Sequence, residues 1–225
     1  MKLQSPPRSA VSDAPIEPLS KDVQPAGAET ALVRRGRIAA WLVIAVAGLT
    51  WTGWAIDVSI LTRINPEWPP MTPWTALWLA ALAVAILLQS GSPSPGRTRA
   101  GRGVAAVVGT MTVVVLSEYL TAHSFGADQL WFRDSVAVLP SAWPGRPSPQ
   151  TALATLFLSI AVVLPRTGRR WIGAIRTACL VASMAVAGLA LVAYGFEATA
   201  LVEADQSTGI ALPTALALVF LGAAA

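Results

Sequence analysis

Six stretches of this chain are apolar over roughly the length of a bilayer crossing, and this constrains its fold more than any other feature. They lie at about 38–56, 73–89, 103–121, 148–164, 176–194 and 208–225. A membrane-crossing helix needs roughly 20 predominantly apolar residues. Inside hydrocarbon every backbone polar group must bond within the protein, which leaves only helices and closed barrels. A barrel strand alternates apolar and polar residues at period two, and these runs do not. The pattern therefore predicts an all-α, polytopic membrane bundle of about six transmembrane helices. Some segments are short, so tilt or local bilayer thinning is expected. Composition agrees, since 54% of the 225 residues are hydrophobic and only 12% are charged. A soluble core of this size does not hide so much apolar surface, whereas a lipid bilayer accepts it.

The charges then orient the bundle. Arg34, Arg35 and Arg37 precede the first segment, and Arg97, Arg99 and Arg102 separate the second from the third. Arg166, Arg169, Arg170 and Arg176 separate the fourth from the fifth. With Lys2, Arg8 and Lys21, 13 of the 16 Lys and Arg fall on one side, against Arg63, Arg133 and Arg146 on the other. The positive-inside rule makes the first side, with the N-terminus, cytoplasmic. Trp51, Trp54, Trp68, Trp131 and Trp143 fall near the opposite boundary, as an aromatic belt does. A sequence pI near 10 suggests nucleic acid. The basic residues instead flank apolar segments and form no aromatic-interleaved stripe, so no nucleic-acid partner is expected. Residues 1–33 carry Pro6, Pro7, Pro15, Pro18 and Pro25 among Ser, Ala, Asp and Glu. That composition buries too little apolar area to offset chain entropy and predicts a disordered cytoplasmic tail ahead of a membrane domain over 34–225.

A short motif repeats within that domain. Thr75-Ala76-Leu77 follows Thr72-Pro73-Trp74, Thr151-Ala152-Leu153 follows Ser148-Pro149-Gln150, and Thr214-Ala215-Leu216 follows Ala211-Leu212-Pro213. Each triplet opens the second helix of a pair, which predicts three parallel helix-pair repeats at about 38–90, 103–165 and 176–225. Thr72 and Ser148 suit an N-cap, and Pro73 and Pro149 suit the first helical position, where a missing N–H costs nothing. Thr75 and Thr151 are placed to bond a backbone carbonyl or a neighbouring helix. The third copy departs, with Leu212 in the proline position and Pro213 one place later.

Candidate binding residues are few. Glu118 is the carboxylate well inside an apolar segment, near the end of the third. An ionisable group at membrane depth is costly and marks a functional candidate; the plainer reading is that it reaches the interface and bonds a loop. The loop over 123–146 contains Asp128-Gln129-Leu130-Trp131-Phe132, an amphipathic stretch that either lies on the bilayer or covers a pocket between helices. Asp128, Gln129 and Trp131 join Glu118 as candidates for sensing a ligand or signal. Glu197, Glu203 and Asp205 give the last such loop a negative character. One histidine, His123, and one cysteine, Cys179, supply no metal-ligand set, and no cofactor is expected. No phosphate-cradling Gly loop, nucleophile elbow or paired catalytic carboxylates are present, so no catalytic residue is assigned.

The loop residues carry a resemblance. Glu118-Tyr119-Leu120, Asp128-Gln129-Leu130 and Phe132, followed by Pro144-Gly145-Arg146 and Ser148-Pro149-Gln150-Thr151-Ala152-Leu153, are similar to the N-terminal membrane sensor region of bacterial histidine kinases. Similar regions precede diguanylate cyclase domains. Ser207-Thr208-Gly209 with Ala211 and Thr214-Ala215-Leu216, and Trp68 with Met71-Thr72-Pro73-Trp74-Thr75-Ala76-Leu77, fit the same pattern. Trp74 and Trp131 depart from it. The resemblance spans about 38–225. It implies the sensory input of a two-component signal-transduction protein in the bacterial inner membrane, whose partners are the lipid bilayer and a second copy, through a parent kinase. The chain itself carries no dimerisation helix and no ATP site, so output domains beyond Ala225 are expected. A structural or assembly subunit is the alternative, suited by Ala- and Gly-rich helices. A small transporter would need polar residues on several facing helices.

Overall fold

A computed structural model describes residues 26–139, 141–166, 168–196 and 209–225. Among these are seven α-helices and no strand. They are α1 (Ala26–Ala55), α2 (Pro73–Leu88), α3 (Pro95–Thr121), α4 (Arg133–Ala137), α5 (Pro149–Val163), α6 (Arg170–Gly195) and α7 (Leu212–Ala224). Three helices are long and apolar enough to cross a membrane, namely α1 from Ala31, α3 and α6. The others in the bundle are shorter, with 16 residues in α2, 15 in α5 and 13 in α7. At about 1.5 Å per residue these reach roughly 24, 23 and 20 Å, short of a hydrocarbon core of about 30 Å.

Length sorts with position. The short helices α2, α5 and α7 touch one another, and each long helix lies against two of them. Thus α1 bridges α2 and α7, α3 bridges α2 and α5, and α6 bridges α5 and α7. The core sits among the short helices, where Trp78, Leu79, Leu82, Leu158, Leu218 and Leu221 are buried. Alanines fill the close approaches, including Ala76, Ala83, Ala85, Ala152, Ala154 and Ala217. Only 22% of the apolar window is buried in α3 and in α6. The long helices instead expose Trp41, Leu42, Leu49, Val107, Val113, Val181 and Leu189. A contiguous apolar surface on that scale marks contact with lipid or protein rather than water.

The helix starts follow the local chemistry. Thr72 caps α2 and Ser148 caps α5, each side chain accepting from the N–H three residues on, with proline next in sequence. The paired threonines do not reach a carbonyl or another helix. Thr75 Oγ1 lies 2.9 Å from Thr72 Oγ1, and Ser148 Oγ donates to Thr151 Oγ1 at 2.8 Å. The motif is therefore a two-hydroxyl cap, and Thr75, Thr151 and Thr214 are all buried. In the third copy Ala211 occupies the cap position without a side-chain bond, and Pro213 falls at the second helical position. We expect Ser148→Ala to cost about 1–2 kcal/mol, because Ser148 is buried and its hydroxyl serves both the cap and Thr151. Reversible unfolding in detergent measures it, and an unchanged midpoint would deny the cap its role.

Several boundaries differ from the sequence reading. The helix α1 begins at Ala26, so residues 26–33 are helical and not part of a disordered tail; residues 1–25 lie outside the described residues. After Pro25 the sequence has no further proline until Pro66, and alanine and leucine favour propagation from the apolar helix behind them. The helix α3 starts at Pro95, capped by Ser94, so Arg97, Arg99 and Arg102 sit on helix and not in a loop. Arg170 and Arg176 likewise belong to α6. Helix α7 starts at Leu212, and Glu197, Glu203 and Asp205 lie outside the described residues. At the arginine-rich end, Arg97 Nη2 donates to Leu87 O at 3.3 Å and Gln89 Nε2 donates to Val162 O at 3.3 Å. The first adds a donor to a carbonyl that already accepts from the Ser90 N–H, and the second ties the end of α2 to a carbonyl in the last turn of α5.

Candidate functional site

At the opposite, tryptophan-rich end, the segment between α3 and α5 folds back over the bundle. Its anchor is Arg146, whose side chain is fully buried. Nε donates to Asp128 Oδ1 at 3.1 Å and Nη2 to Asp128 Oδ2 at 2.7 Å, a bidentate pair. Nε also lies 3.5 Å from Glu118 Oε2. The guanidinium stacks over Trp143 at 4.5 Å and Tyr119 at 5.2 Å from the ring centroids. One cation thereby serves two carboxylates and two aromatic faces.

Each partner is held in turn. Glu118 is 2% exposed, and its Oε1 accepts from the Phe125 N–H at 2.7 Å. Ser124 Oγ donates to Asp128 Oδ2 at 2.9 Å, and Tyr119 donates to Pro147 O at 3.1 Å. The network ties the end of α3, the loop that follows it and the entry to α5 into one unit. Glu118 bonds the loop through the Phe125 N–H and pairs with Arg146 while buried. A buried carboxylate in this setting is tolerated because it is paired and hydrogen-bonded.

The backbone makes room for this geometry. Gly145 has φ +87°, and a Cβ there would meet Asp128 O at 2.3 Å and Val136 Cγ1 at 2.6 Å. Val136 comes from α4, which braces the loop from beneath. Phe132, at the start of α4, takes φ +51° and sets its ring edge-on to Trp51 at 5.2 Å. Non-glycine residues in that region carry strain that neighbouring packing must hold.

An aromatic wall adjoins the network. Trp131 lies 5.2 Å from Trp51 and 6.2 Å from Trp74, and Trp74 Nε1 donates to Ala127 O at 2.8 Å. The two tryptophans that depart from the sequence pattern are thus in contact with each other. Trp74, Trp78, Val114, Glu118, Ala127 and Asp128 line a cavity of about 240 Å³. The loop therefore covers a pocket between α2 and α3. Of the four sequence candidates, Glu118 and Asp128 meet in the network and Trp131 packs beside it. Gln129 is half-buried and makes none of its bonds. Pro73, Pro149 and Pro213 stand at helix starts and take no part.

Sequence reasoning counted Arg146 as an outer charge and as part of the resemblance carried by Pro144-Gly145-Arg146, but did not place it among the candidate binding residues. The available signal was its place next to a Pro-Gly turn and a capped helix, within reach of the isolated Glu118. Compared with protein-family models, curated proteins and solved structures, the chain matches none. What the fold defines, among the described residues, is a helical bundle with three helices long and apolar enough to cross a membrane and a buried ion cluster at one end.

Proposed function

We propose that this chain is the membrane-embedded sensory input region of a bacterial signal-transduction protein, with its output domains on the cytoplasmic side. The observation that carries the reading is the Glu118–Arg146–Asp128 network, which couples a loop at one membrane face directly to the long helix α3. In this reading α1 to α3 and α5 to α7 make six crossings as three helix pairs, with the arginine-rich end inside. The three short helices supply the interior and the long ones face lipid. The mutual contact of α2, α5 and α7, each flanked by long helices, supports a threefold repeat of the pair.

The coupling has a physical basis. A stimulus shifts a conformational equilibrium only by binding one state better than another. In this reading the buried cation shared by Glu118 and Asp128 holds the closed state, and a stimulus acts by favouring a state in which the loop is released. The resemblance to histidine-kinase sensor regions supports the same role, through the loop residues Glu118, Asp128 and Arg146 themselves.

The test uses the intact parent protein. Glu118→Gln is expected to change the output activity severalfold while leaving membrane insertion intact. Insertion is read by an impermeant thiol reagent on a cysteine at position 134, with Cys179 replaced, which labels whole cells only if that loop is outside. Unchanged output with normal labelling would reduce Glu118 to a loop fastener. Labelling only after lysis would reverse the topology.

A further inference from the structure

A second pocket, of about 200 Å³, shares no lining residue with the aromatic cavity. Arg63, Glu67, Trp68, Thr72, Trp143 and Arg146 contribute to its wall. It joins the segment between α1 and α2 to the one between α3 and α5. Two buried polar atoms of this wall lack a partner, Arg63 Nε and Arg146 Nη1. Both are N–H donors, so the missing partner is an acceptor. They differ in charge balance. Arg146 is already matched by Glu118 and Asp128, whereas Arg63 donates to the backbone oxygen of Pro66 and no ion pair to it is seen among the described residues. An unmatched, half-buried guanidinium favours an anion.

We propose that this pocket binds a small organic carboxylate, held by Arg63 and the free edge of Arg146, with its apolar body against Trp68 and Trp143. The size is below that of a drug-like ligand site, which limits the body to about one ring. A planar guanidinium fork matches a carboxylate, and the tryptophan and proline walls match an apolar body. A phosphate dianion fits less well, because Glu67 lines the same pocket and two carboxylates lie behind Arg146. A ligand there touches both the first loop and the ion network. The proposal deepens the sensory reading by naming what is sensed, yet its test needs no signalling output. Failure to bind and failure to signal are therefore separate results.

The experiment is isothermal titration of sodium benzoate into the purified full chain in detergent micelles. Benzyl alcohol is the neutral comparison and inorganic phosphate the alternative anion. Saturable one-to-one binding of benzoate is expected. Arg63→Gln should weaken it at least about tenfold and Arg63→Lys less, since a charged hydrogen bond is lost in the first and a charge kept in the second. Circular dichroism checks that both variants keep their helix content; Arg63 is half-exposed and not part of the core. Equal binding to wild type and Arg63→Gln would overturn the proposal, as would equal binding of benzyl alcohol or an absence of saturable heat. Tighter binding of phosphate would overturn the carboxylate assignment.

Discussion

Arg146→Ala is expected to destabilise the protein by about 3–5 kcal/mol, the usual cost of removing one partner from a buried ion pair. Most of that loss comes from what is left behind. Glu118 stays in place at 2% exposure with one backbone N–H for company. Asp128 loses both of its arginine bonds. A second change separates the causes. Adding Glu118→Gln to Arg146→Ala removes the stranded charge while keeping the shape, so the double variant should recover part of the lost stability. Arg146→Lys keeps the charge but forfeits the bidentate fork and the stacking on Trp143, and should fall between. Denaturant titrations in micelles read all three. A loss under about 1 kcal/mol for Arg146→Ala would mean that the cluster behaves like an exposed pair.

Gly145→Ala should be nearly as damaging, at about 2–5 kcal/mol, although it adds a single methyl group. Two costs combine. A left-handed backbone penalises a residue with a Cβ by about 1–2 kcal/mol, and overpacking a filled space adds about 1–3 kcal/mol. The clash at Gly145 is with a backbone oxygen, that of Asp128, which has no rotamer to yield. The neighbouring Asp128 side chain is half of the arginine fork, so relief of the clash also disturbs the ion network. The variant should therefore lose stability and bring Glu118 and Arg146 apart together. Alanine at Gly126, whose φ is +80° but whose Cβ meets nothing within 4 Å, is the control. It carries the backbone penalty alone. Equal effects at the two glycines would show that crowding against Asp128 is not the cause.

Where the helices lie was readable because apolar runs and helix caps are local properties. Thr72-Pro73 and Ser148-Pro149 mark the starts of α2 and α5 to the residue, since a hydroxyl three positions from a free N–H needs no distant partner. The same Ser-Pro signature at Ser94-Pro95 starts α3, but the arginines after it read as a loop. Charge was weighed there above capping, although arginine is a good helix former and its long side chain reaches out from a helix. At the other end of the chain, Pro213 without a hydroxyl cap left the start of α7 open, and the structure sets it at Leu212.

The all-helical character, the apolar long helices and the candidacy of Glu118 and Asp128 followed from the sequence alone, because each rests on residue type and spacing along one segment. The division into short inner and long outer helices did not. It depends on which faces meet, and alanine-rich segments present several faces that pack equally well. Arg146 was beyond reach for the same reason. It stands 28 residues from Glu118 and 18 from Asp128, and its Pro-Gly turn and the helix cap after it mark a turn but not which carboxylates the side chain meets. Only the folded loop, turned at Gly145 and braced by Val136, brings its guanidinium between the two carboxylates, and only there does an isolated carboxylate in an apolar helix become a paired one.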